Sequence, residues 1–222
     1  KTNSLFAYDE QNTKADTAYL AYGRHLQNLD KDSGVSEKIT KAVQISDISF
    51  QDDMADSEDW YSLYGETFQP VTNNNLTSYD GHSQSVSGDL YASIYGLHIP
   101  DQGGAEAGLF RAYSGKGLSI SNVTMTGVKA AGGTDVGAII GKAERDVTLE
   151  NCQVYLSAKK GDLENIAVKE KAEDVEPWLQ GQVVGGLIGR SASGAKVQIK
   201  NSLASTVLSG TQNAGGLVAM AE

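Results

Sequence analysis

Along the second half of the chain, pairs of large apolar residues recur beside glycine at a fixed spacing, and this periodicity dominates the pattern of hydrophobic and polar positions. The segments are Ala107-Gly108-Leu109-Phe110, Val136-Gly137-Ala138-Ile139-Ile140-Gly141, Val184-Gly185-Gly186-Leu187-Ile188-Gly189 and Ala214-Gly215-Gly216-Leu217-Val218. Their aliphatic positions 109, 139, 187 and 217 are separated by 30, 48 and 30 residues, so the middle step is one period plus an insertion. Residues 159–180 (KKGDLENIAVKEKAEDVEPWLQ) are charged, contain Pro177 and interrupt the alternation on either side; they are expected to project as a loop or short helix. A second box keeps the same register. Asn122, Asn151 and Asn201 follow Leu109, Ile139 and Leu187 by 13, 12 and 14 residues.

Between the boxes, apolar and polar residues alternate with period two, as in Val123-Thr124-Met125-Thr126, Val147-Thr148-Leu149 and Val197-Gln198-Ile199, which predicts short half-buried strands. Glycines 108, 137, 185 and 215 are expected to supply the positive φ of tight corners, and asparagine tolerates that conformation better than most residues. Stacked in register, Asn122, Asn151 and Asn201 would form a hydrogen-bond ladder. Leu109, Ile139, Leu187 and Leu217 would form one interior row, each contributing about 1.5–3 kcal/mol by burial. A phosphate-cradling loop does not explain the box, because no helical period follows it and it recurs four times. The reading is an all-β protein, a right-handed parallel β-helix whose repeats of about 30 residues occupy 101–222.

The first hundred residues are less regular. Residues 1–15 read as an extension, and residues 16–100 as a cap and first coils. Tyr19, Leu20, Tyr22, Leu26 and Leu29 lie at near-helical spacing, which predicts a short capping α-helix over 16–30 with Asp16 or Thr17 as its N-cap. Residues 35–50 alternate as strand, with Ile39, Val43, Ile45 and Ile48 expected inward. Residues 60–88 look irregular, with 72–88 forming a long polar loop, before strand pattern returns at 90–99.

Composition narrows the reading of function. A net charge of -10 disfavours a nucleic acid backbone as partner, and no apolar stretch is long enough for membrane insertion. The single cysteine, Cys152, leaves no intramolecular disulfide and is expected to be a buried small hydrophobe rather than a nucleophile. Because the chain opens at Lys1 and stops at Glu222 within the pattern, it is expected to be a piece of a longer protein, with an exposed strand edge meeting further repeats or a second copy.

Asp52, Asp53 and Asp56, within an acidic run that continues to Glu58 and Asp59, are the candidate calcium ligands, since hard carboxylate oxygens suit that ion; a solvated charged loop is the competing reading. Trp60, Tyr61, Tyr64 and Tyr79 are candidate ligand-binding aromatics that could stack on sugar rings or, alternatively, pack beneath a loop. No catalytic residue is assigned. Asp135, Glu144, Asp146 and Glu150 are expected at corners or on outward faces, with no row of carboxylates beside an arginine or lysine. The three histidines, His25, His82 and His98, share no ligand spacing.

Several segments together resemble bacterial surface proteins with Gly-Leu-rich (GLUG) repeats: the helical stretch 19–29, Ser46-Asp47-Ile48, Phe68-Gln69-Pro70-Val71, Ile94-Tyr95-Gly96-Leu97-His98-Ile99 and Gly108-Leu109-Phe110. The resemblance covers most of residues 16–222. It implies a right-handed β-helix of the kind found in adhesin-like proteins and upstream of some surface-anchored peptidases. The expected function is therefore non-catalytic, at the bacterial cell surface or secreted, presenting a surface to a glycan or protein of a host or neighbouring cell. The alternatives are a carbohydrate-active β-helix enzyme and a structural stalk carrying another domain.

Overall fold

The computed structural model describes residue 6 and residues 16–30, 38–50, 68–81, 93–101, 103–155 and 178–222. The early elements are β1 (Thr17–Leu20), α1 (Gly23–Gln27), β2 (Lys41–Gln44), β3 (Ile48–Ser49), β4 (Ser78–Asp80), β5 (Ser93–Tyr95) and β6 (His98–Ile99). Then come β7 (Phe110–Tyr113), β8 (Leu118–Ser121), β9 (Thr124–Thr126), β10 (Lys129–Ala131), β11 (Asp135–Gly137), β12 (Ile140–Ala143), β13 (Val147–Glu150) and β14 (Gln153–Tyr155). The last are β15 (Leu179–Gly185), β16 (Ile188–Ser191), β17 (Val197–Lys200), β18 (Leu203–Ser205), β19 (Leu208–Gly215) and β20 (Val218–Ala221).

These strands form four sheets in which each strand pairs in parallel with its counterpart in the adjacent coils: β1-β2-β4-β8-β13-β17, then β3-β5-β9-β14-β18, then β6-β10-β15-β19 with β11 also on β15, then β7-β12-β16-β20. The fold is a parallel β-helix. Equivalent residues stack, so Leu149 lies between Ile120 and Ile199, and Val154 between Met125 and Ala204.

The interior row exists. Leu109, Ile139 and Leu187 are fully buried, and backbone hydrogen bonds link Phe110 to Ile139, Ile139 to Leu187 and Leu187 to Leu217. Leu217 takes the same position in the last coil but is 39% exposed, because neighbours cover it on one side only. Asn122, Asn151 and Asn201 sit at the corner between the first and second sheets with φ of 55°, 54° and 47°, the left-handed region that asparagine tolerates. Asn151 Nδ2 donates to Asn122 Oδ1 at 3.2 Å, and Asn122 Nδ2 to Asp80 Oδ1 at 3.1 Å, so the ladder reaches back to β4.

The N-terminal expectations need correction. Thr17–Leu20 is a strand, with Ala18 and Leu20 inward and full parallel pairing to β2; the same residues satisfy a period of two, and the sheet's hydrogen bonds decide between the periods. Helix α1 is shorter than expected and starts after Tyr22, which makes no side-chain capping bond. Asp16 is no cap: it accepts from the Thr40 hydroxyl and pairs with Lys41 at 3.3 Å. The helix packs beside residues 68–71, where Gln27 both donates to Gln69 O and accepts from Gln69 N–H, and Leu26 and Leu29 join the core.

In β2 the inward residues are Ala42 and Gln44, not Val43; Ile45 is exposed at the turn that follows, while Ile39 and Ile48 are buried as expected. Pairing with Ala18 and Leu20 sets that register, and the buried Gln44 carboxamide is satisfied by the Tyr79 hydroxyl at 3.1 Å. The polar stretch 72–88 is only partly loop, since β4 lies within it as a full member of the first sheet, anchored by buried Leu76 and Tyr79. The charged insertion 159–180 lies outside the described residues up to 177; its last two residues, Leu179 and Gln180, already belong to β15.

Candidate functional site

The glycine boxes mark a seam where the third sheet turns into the fourth. A Cβ on Gly137 would lie 2.6 Å from Leu187 O and 2.7 Å from Gly189 N, and one on Gly189 would lie 2.6 Å from both Gly141 O and Val136 N. Gly108 would place its Cβ 2.6 Å from Gly137 O, while Gly185 and Gly215 would meet the carbonyls of Ile188 and Val218. Two sheets thus touch backbone to backbone, and only hydrogen at Cα permits the approach. This corrects the expected role of Gly108, Gly137, Gly185 and Gly215, none of which has positive φ. Among glycines the left-handed corners fall at Gly96, Gly103, Gly104, Gly117, Gly127 and Gly194.

Beside this seam lies a group of paired charges. Lys142 and Arg190 occupy equivalent positions on β12 and β16, each directly after the last glycine of its box. Arg190 Nε donates to Asp135 Oδ1 at 2.8 Å across the seam, and its Nη1 reaches Glu222. Lys142 pairs with Glu144 at 2.9 Å; that hydrogen bond holds its ammonium pKa above the usual lysine value, with Glu106 and Asp135 adding to the effect. Asp135 likewise raises the Arg190 guanidinium pKa further.

Asp135, expected at a corner or on an outward face with no basic neighbour, is 4% exposed and bound to Arg190. The pair is 55 residues apart, and only alignment of the boxes, Gly141-Lys142 over Gly189-Arg190, would have exposed the basic row. Glu144, Asp146 and Glu150 do lie at corners or outward. Chemically the cluster is a clamp: Asp135 and Glu144 each face a cation already in contact, and the Asp135–Arg190 pair joins the third sheet to the fourth.

Tyr79 is no ligand platform. Its ring is fully buried, edge-on to Phe110 at 6.0 Å, and burial pushes its phenol pKa up. Trp60, Tyr61 and Tyr64, like Asp52, Asp53 and Asp56 and His82, lie outside the described residues. Among the described residues no group of three His, Cys, Asp or Glu could hold a metal ion, and no helix is long and apolar enough to cross a membrane.

Cys152 is buried between stacked neighbours. Desolvation lifts its thiol pKa to about 11, far from a nucleophile's range. His25, 1% exposed, accepts from Ala21 N–H through Nδ1, and burial lowers its pKa to about 4, with Arg24 adding to the shift. Above pH 6.5 both folded and unfolded chains carry it neutral; below that only the unfolded chain takes up the proton, so stability falls until about pH 4. Between pH 7.5 and 5 this histidine should account for about 2 kcal/mol of lost stability. Urea melts at the two pH values should show His25→Gln losing that much less than the unaltered chain; an unchanged difference would contradict the assignment.

With this geometry in view, the class of molecule is a parallel β-solenoid whose coils are joined by an ionic clamp at a glycine seam. Comparisons with protein-family models, with curated proteins and with solved structures find no match to this chain.

Proposed function

We propose that this chain is a non-catalytic β-helical segment of a bacterial cell-surface or secreted protein, similar to those with GLUG repeats, that presents a binding surface to a glycan or protein of a host or neighbouring cell. The observation that carries the reading is the use made of the carboxylates nearest to bases. Asp135 and Glu144 are closed into ion pairs with Arg190 and Lys142 rather than facing each other across an open space, as an acid and base flanking a scissile sugar bond would. The repeats build a stack with a long, regular exterior, which suits display.

The test is a binding screen of the purified chain on glycan and extracellular-matrix protein arrays, with polysaccharide depolymerisation assayed in parallel. Saturable binding without turnover is the expected result. Turnover abolished by Asp135→Asn would overturn the reading in favour of a carbohydrate-active enzyme, and silence on every array would leave a stalk that carries another domain.

A further inference from the structure

The outer face of the third sheet carries an aromatic and cationic row that nothing above assigns. Ile99, Ala130 and Leu179 are buried in register on the inner face, so the preceding residues His98, Lys129 and Trp178 stand together on the outer face. The pairing runs through them, with Lys129 opposite His98 and Ala130 N–H donating to Trp178 O. His98 and Lys129 are exposed, Trp178 is half-buried, and the Lys129 ammonium lies 5.1 Å from the centre of the Trp178 ring.

Lys129 differs from the cations of the seam. Lys142 and Arg190 are consumed in ion pairs, as is Lys41 by Asp16, whereas Lys129 meets no carboxylate among the described residues. Asp101, the acid that follows β6, is turned back to accept from Gly103 N–H at 3.0 Å. Two residues further along β10 from Lys129, about 7 Å by strand geometry, Ala131 borders a small open hollow. Pro100, Ala105, Glu106 and Arg111 also line it. The face thus offers an indole, a lysine that among the described residues is held by the ring alone, a histidine, and a second cation beyond a shallow hollow.

We propose that this face binds saccharides bearing carboxylates, such as uronic or sialic acid units, with the sugar's C–H face on Trp178 and its carboxylate on Lys129. The inference rests on the ligand-display reading above and names its ligand class. An exposed cation–π contact is worth only about 0.5–1 kcal/mol, so Lys129 leaves the ring at small cost to form a charge-assisted pair, and the indole is freed for stacking. On a chain of net charge -10, a carboxylate ligand is repelled in general and gains beside a cation that meets no carboxylate among the described residues, which makes this row selective for position.

The test is calorimetric titration of the whole chain with oligogalacturonate and sialyllactose, each beside its neutral counterpart, methyl-esterified oligogalacturonate and lactose. The expected result is at least about tenfold preference for the acidic member, weakening with added salt. Trp178→Ala and Lys129→Gln should each reduce binding about tenfold or more, while Lys200→Gln on the first sheet should leave it unchanged. Lys129 is exposed, so its variant tests the site even if the tryptophan variant misfolds. Equal binding of acidic and neutral members, or affinities that ignore both substitutions in a folded chain, overturns the proposal. If the arrays nevertheless report a protein or neutral-glycan ligand, the display reading survives; silence everywhere removes both.

Discussion

Gly137→Ala should destabilise the fold by about 3 kcal/mol, whereas Gly103→Ala should cost about 1 kcal/mol. The two sites separate the two reasons for glycine. Gly103 has φ of 81° and open space around its Cα, so alanine there meets only the penalty of the left-handed region. Gly137 has an ordinary φ, but its methyl would strike carbonyl and amide atoms of its own coil and of the next, Ile140 O, Leu187 O and Gly189 N. Backbone held on both sides by parallel ladders has little freedom to retreat. Urea midpoints compared at equal slope would decide it, and a Gly137→Ala chain as stable as the Gly103→Ala one would show that the two sheets can part without loss.

Arg190→Leu should cost about 2 kcal/mol, because it strands the nearly buried Asp135 carboxylate without its partner. The remedy is written in the next coil, where Val183 pairs with Asp135 in register and fills the same position with an apolar side chain. Asp135→Val combined with Arg190→Leu should therefore recover most of the loss, the signature of a coupled pair in a double-mutant cycle. Single and double losses that simply add would mean that Asp135 and Arg190 contribute separately and do not act as a clamp.

The stacking was legible because repetition supplies its own control: one alternating stretch is ambiguous, but Leu109, Ile139, Leu187 and Leu217, each one or two residues after a glycine, are not. The asparagine corners could be read for the same reason. Where a segment occurs once, the sequence misleads. Tyr19, Leu20 and Leu26 fit a helical period as well as Ala18 and Leu20 fit a strand, and the choice is made by hydrogen bonds to residues 41–44. Gln44 could not be placed inside without knowing that the Tyr79 hydroxyl, 35 residues later, would meet it. The seam was hidden too, since a glycine chosen for close approach looks no different in sequence from one chosen for a turn. Of the candidate site, the row of His98, Lys129 and Trp178 depends on register across three coils, and in sequence the three lie far apart.

The parallel ladders have a mechanical consequence. Hydrogen bonds that join coil to coil point along the long axis, so tension applied between the two ends of the stack loads them directly, one rung after another. The equivalent positions 109 and 139, like 187 and 217, lie thirty residues apart, and a coil peeled away would release about 100 Å of extended chain before the next rung bears load. Such a body yields by discrete lengthening and dissipates a pull instead of transmitting it.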